Sequence, residues 1–417
     1  MRYRRMPIEA ESPEQVGYDK IRNNLSESSY SDALLRDFDP GTGLRDLVLC
    51  YGSHQGHDGL REQIAKEAGL TEGSPATPGP ATPGAATRDG ATHATDDDAV
   101  RDEGSSRTTP SGTAGLNRDH VLLTVGAAGA LFIIATTLLE KDDEVAVVRP
   151  NYATNIETPR AIGAAIRDID LHFEEGFALD LARVTAAITP KTKYLSVTYP
   201  HNPTGVCLDA SQLYELVRLA EDRNIRLLVD ETYRDMVFGT PLPLAATLSP
   251  RVISVSSLSK SYGLPGLRTG WIVCRDSRLM QRFLAAKEQM HICGPVIDEE
   301  LAFRYFRQKQ LHFARIKMDI AAKFRILRQW IGRQEEFEWV EPRGGCVCFP
   351  RLRRPGSVDA EVFYRILLER YGTYVGPGHW FEMPKHYMRI GYGWPAVQQL
   401  EEGLEGLSKA VRDALLK

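Results

Sequence analysis

Short apolar segments that alternate with helical segments are the feature that most constrains the fold of this chain. Two intervening stretches, 127–139 and 209–223, have the apolar spacing of helices, and the second begins at a capping aspartate. Short strands without polar alternation are typical of a largely parallel sheet that helices cover on both faces. The predicted strands are 120–125, 144–148, 194–199, 225–229 and 252–256.

The stretch from residue 71 to about residue 116 differs in composition from its surroundings. It is rich in Pro, Gly, Thr and Ala, and no aromatic residue lies between Gly69 and Asn117. Such a segment buries too little apolar surface to offset the entropy of ordering it. We therefore predict a disordered surface insertion rather than a linker between domains, with a tether to a partner as the alternative, since loops tolerate long insertions.

A chain of 417 residues is long enough for two domains. From about residue 295 the pattern changes to long helices, strands near Trp339 and at 346–349, and a final helix after Trp394. We predict an N-terminal arm (1–44), a large domain (45–290) that carries the insertion, and a smaller α+β domain (291–417). The arm is expected to pack with the small domain.

The charges of the chain are nearly balanced, with 51 basic and 55 acidic residues. This balance argues against nucleic acid or an anionic membrane as the main partner. No apolar stretch is long enough to span a bilayer, and no apolar core follows the basic N-terminus, so we expect a cytoplasmic protein. The six cysteines are scattered, which favours reduced thiols and no metal site.

Lys260 stands in a run of small hydroxyl residues and glycines, from Ser254 to Trp271, that also contains Ser257 and Arg268. An amine in such a setting is suited to forming a Schiff base with a carbonyl cofactor, and the hydroxyls and guanidinium are suited to a phosphate. The alternative is a Ser/Gly loop that happens to carry two cations, because short motifs also arise by chance.

Polar residues follow the other predicted strands, and ligand groups gather at the carboxyl ends of strands in a parallel sheet. Gly126-Ala127-Ala128 opens a helix, where backbone N–H groups can meet a phosphate. Tyr152 and the turn that contains Asn202 follow the next two strands. Asp230 ends an apolar strand, where a carboxylate is costly to bury without a cation. A protonated pyridine nitrogen is such a cation; a helix cap is the simpler alternative.

Together these segments resemble the class I/II aminotransferases, the aspartate aminotransferase-like enzymes of pyridoxal 5'-phosphate (PLP) fold type I. The resemblance covers nearly the whole chain outside 71–116. It implies an α/β fold with a mostly parallel seven-stranded sheet in the large domain. It also implies that Lys260 binds PLP as a Schiff base, that Tyr152 stacks on the ring and that Asp230 pairs with the ring nitrogen. Ring and phosphate contacts are implied for Gly126, Ala127, Ala128, Asn202, Tyr233, Ser257 and Arg268.

The same resemblance extends to both ends of the chain. Tyr51-Gly52 resembles the segment whose tyrosine reaches the phosphate of the neighbouring subunit, which implies a homodimer with active sites at the interface. Arg389, in Met388-Arg389-Ile390-Gly391, matches the arginine that binds the α-carboxylate of an amino-acid substrate, a contact that Asn202 shares.

The activity implied is transfer of an amino group between an L-amino acid and a 2-oxo acid, with Lys260, Asp230 and Tyr152 as catalytic residues. Stretches such as Pro342-Arg343-Gly344-Gly345 also resemble capreomycidine synthase-like enzymes, cyclases that act on a hydroxylated arginine in antibiotic biosynthesis. A guanidinium substrate needs a carboxylate, for which Glu27 is a candidate; a merely exposed polar arm is the alternative. A non-catalytic regulator of this fold is a third reading, but a basic helix-turn-helix pattern is missing before Tyr51.

Overall fold

In a computed structural model, the chain is described over residues 1–38, 43–69 and 115–415. The predicted insertion therefore lies outside the described residues, apart from its last two positions. The helices are α1 (Pro7–Ala10), α2 (Pro13–Val16), α3 (Asp58–Gly69), α4 (Gly126–Leu138), α5 (Thr154–Ile162), α6 (Leu181–Ala187), α7 (Ala210–Asp222), α8 (Ser277–Met290), α9 (Val296–Arg307), α10 (Lys309–Ile331), α11 (Ala360–Glu369) and α12 (Val397–Asp413).

The strands form a large sheet, a smaller sheet and one two-stranded ribbon. They are β1 (Asn23–Leu25), β2 (Val121–Val125), β3 (Glu144–Arg149), β4 (Ala165–Asp170), β5 (Thr192–Thr198), β6 (Arg226–Asp230), β7 (Val252–Ser257), β8 (Thr269–Cys274), β9 (Phe337–Glu338), β10 (Val347–Cys348), β11 (Arg351–Leu352), β12 (Thr373–Pro377) and β13 (Met388–Gly391).

The large sheet has seven strands in the order β2-β8-β7-β6-β5-β3-β4. Every neighbouring pair is parallel except the two pairs that involve β8, which runs antiparallel to β2 and to β7. The central strands are buried on both faces, as their unbroken apolar sequences require. All five predicted strands belong to this sheet. The predicted α/β fold with a mostly parallel seven-stranded sheet is confirmed.

The N-terminal arm joins the second sheet, whose order is β1-β12-β13-β10. Strand β1 pairs in parallel with β12, so that Asn24 lies opposite Tyr374. Strand β13, which carries Arg389, lies next to β12 in the antiparallel sense. The arm therefore packs against the C-terminal third of the chain. The division into domains at residues 44 and 290 stays a prediction.

Some helices begin at a capping aspartate that the local sequence indicates. Asp209 accepts a hydrogen bond from the backbone N–H of Gln212 and begins α7, as its position before an apolar repeat predicts. Helix α4 begins at Gly126, directly after β2, without a side-chain cap. Within the described residues, no helix is both long and apolar enough to cross a membrane.

Candidate active site

A cavity of about 380 Å³ opens at the carboxyl ends of the parallel strands, between the large sheet and the N-terminal arm. Each parallel strand that ends here contributes the residue at or just after its last position, which is where an α/β sheet places ligand groups. Most of the residues predicted from sequence meet at this cavity. They are Glu27, Ala127, Ala128, Tyr152, Asn202, Asp230, Tyr233, Ser257, Lys260, Arg268 and Arg389.

Lys260 lies just beyond the end of β7, and its carbonyl oxygen accepts a hydrogen bond of 2.9 Å from the backbone N–H of Tyr30 in the arm. In the parts of the chain that the structure describes, neither a hydrogen bond nor an ion pair holds its ammonium Nζ. Burial lowers the pKa of Lys260; the charge of Glu27 opposes this shift and that of Arg389 adds to it. A neutral amine, able to act as nucleophile or base, is thus favoured.

Asp230 is the last residue of β6 and is 6% exposed. The backbone N–H and the hydroxyl of Thr232 both donate to its Oδ1, at 3.1 and 2.5 Å. Burial raises the pKa of Asp230, because Thr232 and the more distant Lys260 compensate only part of the lost hydration. A cationic partner in the cavity would remove this deficit. A protonated ring nitrogen fits that requirement.

A cradle for an anion lies at the first turn of α4. Gly126 has a φ of +68°, and a Cβ atom there would lie 2.5 Å from Nη2 of Arg268. Arg268 also donates from Nη1 to the carbonyl oxygen of Pro265 at 2.9 Å and to Oγ of Ser259 at 3.4 Å. Ser257 and Ser259 both line the same cavity. A guanidinium, two hydroxyls and a helix N-terminus together form a donor set suited to phosphate.

Arg389 is 3% exposed and lies on β13 of the small sheet. Its Nη2 donates to the carbonyl oxygen of Ser26 at 2.7 Å, and its Nη1 donates to Oδ1 of Asn202 at 3.3 Å. Its Nε is buried without a partner among the described residues. A buried guanidinium with an unused donor is suited to a carboxylate of a bound molecule.

Two tyrosines of the predicted site contact the arm. The hydroxyl of Tyr233 donates to the carbonyl oxygen of Ser28 at 2.7 Å, so this donor is engaged by the arm rather than free. The hydroxyl of Tyr152 lies 3.4 Å from Oε1 of Glu9. Burial raises the pKa of both tyrosines, which keeps their hydroxyls protonated.

Two predicted residues are not in the lining of the cavity. One is Gly126, whose missing side chain makes room for Arg268. Tyr51 is 79% exposed and does not reach the cavity of its own chain. Its predicted contact with a neighbouring subunit stays a prediction.

Several lining residues were not predicted from the sequence, and most of them belong to the arm. From the arm come Glu9, Glu14, Tyr18 and Asp32. Because α1 and α2 are single turns and β1 has three residues, periodicity carries no signal of where the arm lies. Trp380 and Trp394 also line the cavity. Ser259, in the lysine segment, is a further lining residue that the sequence did not predict.

These groups fit PLP. The buried, incompletely compensated Asp230 suits a ring nitrogen, the cradle at Gly126 and Arg268 suits a phosphate, and the free amine of Lys260 suits an aldehyde. Arg389 and its unpartnered Nε remain for a carboxylate.

The model of the family "Aminotransferase class I and II" matches residues 96–407. The chain belongs to this family. The capreomycidine synthase of Streptomyces vinaceus is 32% identical to the chain over 294 residues, which span 70% of this chain and 74% of that protein. A probable aspartate aminotransferase of Methanocaldococcus jannaschii is 26% identical over 320 residues, or 75% of this chain and 82% of the relative.

A PLP-dependent aminotransferase from Streptococcus suis superposes on the chain with a TM-score of 0.82 over the full length of both chains, at 24% identity. This likeness shows the fold. The class I/II aminotransferases with this fold use PLP, and PLP is the cofactor of this chain.

Proposed function

We propose that the chain transfers the amino group of an L-amino acid to a 2-oxo acid, with the cavity between the sheet and the arm as its active site. The observation that carries this proposal is the convergence of Lys260, Asp230 and Arg389 on one cavity in a chain of this family. When bound, PLP supplies a carbonyl for amines and a conjugated ring that withdraws electrons from the substrate Cα.

The roles of the protein groups follow from their surroundings. Arg389 binds the substrate carboxylate through Nε and a terminal nitrogen, held in place by Ser26 and Asn202. Lys260 takes the proton from Cα and returns it, since burial favours its neutral form. Asp230 would hold a protonated ring nitrogen, and Thr232 orients its carboxylate by donating to Oδ1.

The remaining cofactor contacts are proposed from the same geometry. Arg268 and Ser257 bind the phosphate, together with the backbone at Gly126, Ala127 and Ala128. Tyr152 would contact the ring, and Asn202 and Tyr233, which line the same cavity, would hold its 3' oxygen. For Tyr233 this requires its hydroxyl to exchange or share the bond that it makes with Ser28.

We further propose a cytoplasmic homodimer. Tyr51 is exposed in the single chain, as expected of a side chain that reaches the phosphate of the partner's site. All six cysteines are free, which suits a reducing compartment. The proposed domain division, with an arm of residues 1–44, is supported by the pairing of β1 with β12.

Ring closure on a hydroxylated arginine is the second candidate. It is favoured by the 32% identity with a capreomycidine synthase over 74% of that protein. The same Lys260 proton transfer at Cα would serve it, followed by loss of the β-hydroxyl as water and attack by a guanidinium nitrogen at Cβ. No redox partner is needed in either reaction.

The experiment that tests the function is an absorbance titration of the PLP-loaded protein with single L-amino acids, combined with product analysis. Amino-group transfer predicts a spectral change that a 2-oxo acid reverses, and a new 2-oxo acid in solution. Ring closure predicts a cyclic amino acid from hydroxyarginine without any 2-oxo acid.

Lys260→Ala should lose the visible PLP band of the resting protein and all turnover, whereas Lys66→Ala, an exposed lysine on α3, should retain both. An unchanged band in Lys260→Ala would refute the proposed site.

A further inference from the structure

The arm contributes four carboxylates to the wall of the cavity: Glu9, Glu14, Glu27 and Asp32. Glu27 is the most enclosed of the four, and the other three are exposed. Within the described part of the chain, none of them forms an ion pair with a basic side chain. Where a partner exists it is neutral: the hydroxyl of Tyr18 lies 3.0 Å from Glu14, and Nε1 of Trp394 donates to Asp32 at 3.0 Å.

The basic side chains that line the cavity bind other groups than the carboxylates of the arm. The lining contains only three, Lys260, Arg268 and Arg389, in the described residues. Under the proposed function, Arg268 meets a phosphate, Arg389 meets the substrate carboxylate and Lys260 bonds to the cofactor. With Asp230 matched to the ring nitrogen, the carboxylates of the arm have no basic counterpart left among the described residues that line the cavity.

A second and independent observation places a ligand in this cavity. Arg389 is 97% buried, since 3% of it is exposed, and its Nε lacks a partner among the described residues. Its Nη2 donates to the carbonyl oxygen of Ser26, the residue directly before Glu27. A molecule whose carboxylate lies on Arg389 is therefore held beside Glu27.

The electrostatic surroundings of Glu27 agree with an incomplete site. Burial raises the pKa of Glu27. The negative charges of Glu14 and Asp32 add to this rise, and the positive charges of Lys260 and Arg389 oppose it. When Lys260 is bonded to the cofactor and Arg389 binds the substrate carboxylate, Glu27 is left as a partly desolvated carboxylate without a cationic partner. A cationic ligand group would restore its compensation.

We propose that Glu27, with Glu9, Glu14 and Asp32 around it, forms a subsite for a positively charged side chain of the amino-acid substrate, a guanidinium or an ammonium group. This inference rests on the proposed function and specifies its substrate class. Glu27 makes the direct contact, and the three exposed carboxylates attract the cation to the mouth of the cavity. Tyr18 and Trp394 supply aromatic surface beside it, which suits a cation on an apolar stem.

The test compares L-arginine with L-citrulline, which has nearly the same shape but no side-chain charge. Apparent dissociation constants are measured with the PLP-loaded protein by absorbance titration and by calorimetry. The wild-type protein should bind L-arginine about 10- to 100-fold more tightly than L-citrulline, the difference expected of hydrogen bonds to a charged group. In Glu27→Gln this preference should fall to about 3-fold or less through weaker arginine binding alone.

Asp19→Asn is the matched control, because Asp19 is an exposed carboxylate of the same arm outside the cavity. It should retain the full preference for L-arginine. An unchanged visible PLP band in Glu27→Gln shows that the variant is folded and holds cofactor.

Equal binding of L-arginine and L-citrulline by the wild-type protein would overturn the inference. So would an equal loss of both ligands in Glu27→Gln. If the protein still turned over neutral amino acids, the proposed function would stand even though the subsite does not exist. Failure of the proposed function has its own readout, an unchanged PLP band in Lys260→Ala.

Discussion

Replacing Gly126 by alanine tests the anion cradle without changing any charged group. The backbone there has a φ of +68°, and an alanine held in this left-handed region costs about 1–2 kcal/mol of folding free energy. The new Cβ would also lie 2.5 Å from Nη2 of Arg268, so the guanidinium must move away from the first turn of α4. The backbone strain lowers the folding stability with and without cofactor, whereas the displacement of Arg268 weakens the binding of the phosphate.

The two effects therefore appear in different measurements. We expect the apoprotein of Gly126→Ala to lose about 1–2 kcal/mol of unfolding free energy in urea. Loss of a charge-assisted contact with the phosphate is worth about 1.5–3 kcal/mol, so the dissociation constant of PLP should rise about 10- to 100-fold. Titration of the apoprotein with PLP, followed by absorbance, measures that constant.

Gly129→Ala on the same helix is the control. Its new Cβ would have Val125 Cβ at 3.8 Å and Thr124 Cβ at 4.0 Å as nearest neighbours, which are ordinary contacts. Alanine should raise the unfolding free energy by about 0.5–1 kcal/mol there and leave PLP binding unchanged. If Gly126→Ala bound PLP as tightly as Gly129→Ala, Arg268 would not be a phosphate ligand.

Two further predictions concern the carboxylates of the site. Asp230→Asn should reduce turnover by about 100-fold or more. Its apoprotein should nevertheless be at least as stable as wild type at neutral pH, because folding raises the pKa of Asp230 and burial of its charge opposes folding. A less stable apoprotein would contradict this reasoning. Binding of L-arginine should strengthen as pH rises through the raised pKa of Glu27, since only the ionised carboxylate attracts the cation. The carboxylate of Glu27 is also surrounded by Lys260, Arg389, Glu14 and Asp32, so the pH dependence of L-arginine binding is measured in Glu27→Gln as well. If binding to that variant still depends on pH, the dependence comes from those neighbours and not from Glu27.

The central strands of the large sheet were predictable because each is a short apolar run. Strand β4 was not predicted, since it lies at the sheet edge and Ala165–Asp170 is mostly exposed and partly charged. Strand β8 was not predicted either, because the glycines and serines of the lysine segment that leads into it indicate a loop. The strand expected near Trp339 ends one residue earlier, at Glu338.

Within the site, the sequence indicated the residues that strands of the large sheet bring to one edge. Asp230 and Lys260 follow apolar strands, and that position alone predicts that they meet. The carboxylates of the arm had no such signal, because Glu9 and Glu14 lie in single helical turns whose place is fixed by tertiary contacts. Glu27 was identified only through the family resemblance.

The arm is joined to the active site through its main chain. The carbonyl oxygens of Ser26 and Ser28 accept from Arg389 and Tyr233, and the backbone N–H of Tyr30 donates to the carbonyl oxygen of Lys260. Peptide groups make these bonds whatever side chains accompany them. The side chain of Glu27 takes no part in these bonds, so it can be exchanged while the attachment of the arm persists. Substitutions at Glu27 can therefore change the substrate specificity of the enzyme while the positions of Lys260, Tyr233 and Arg389 stay the same.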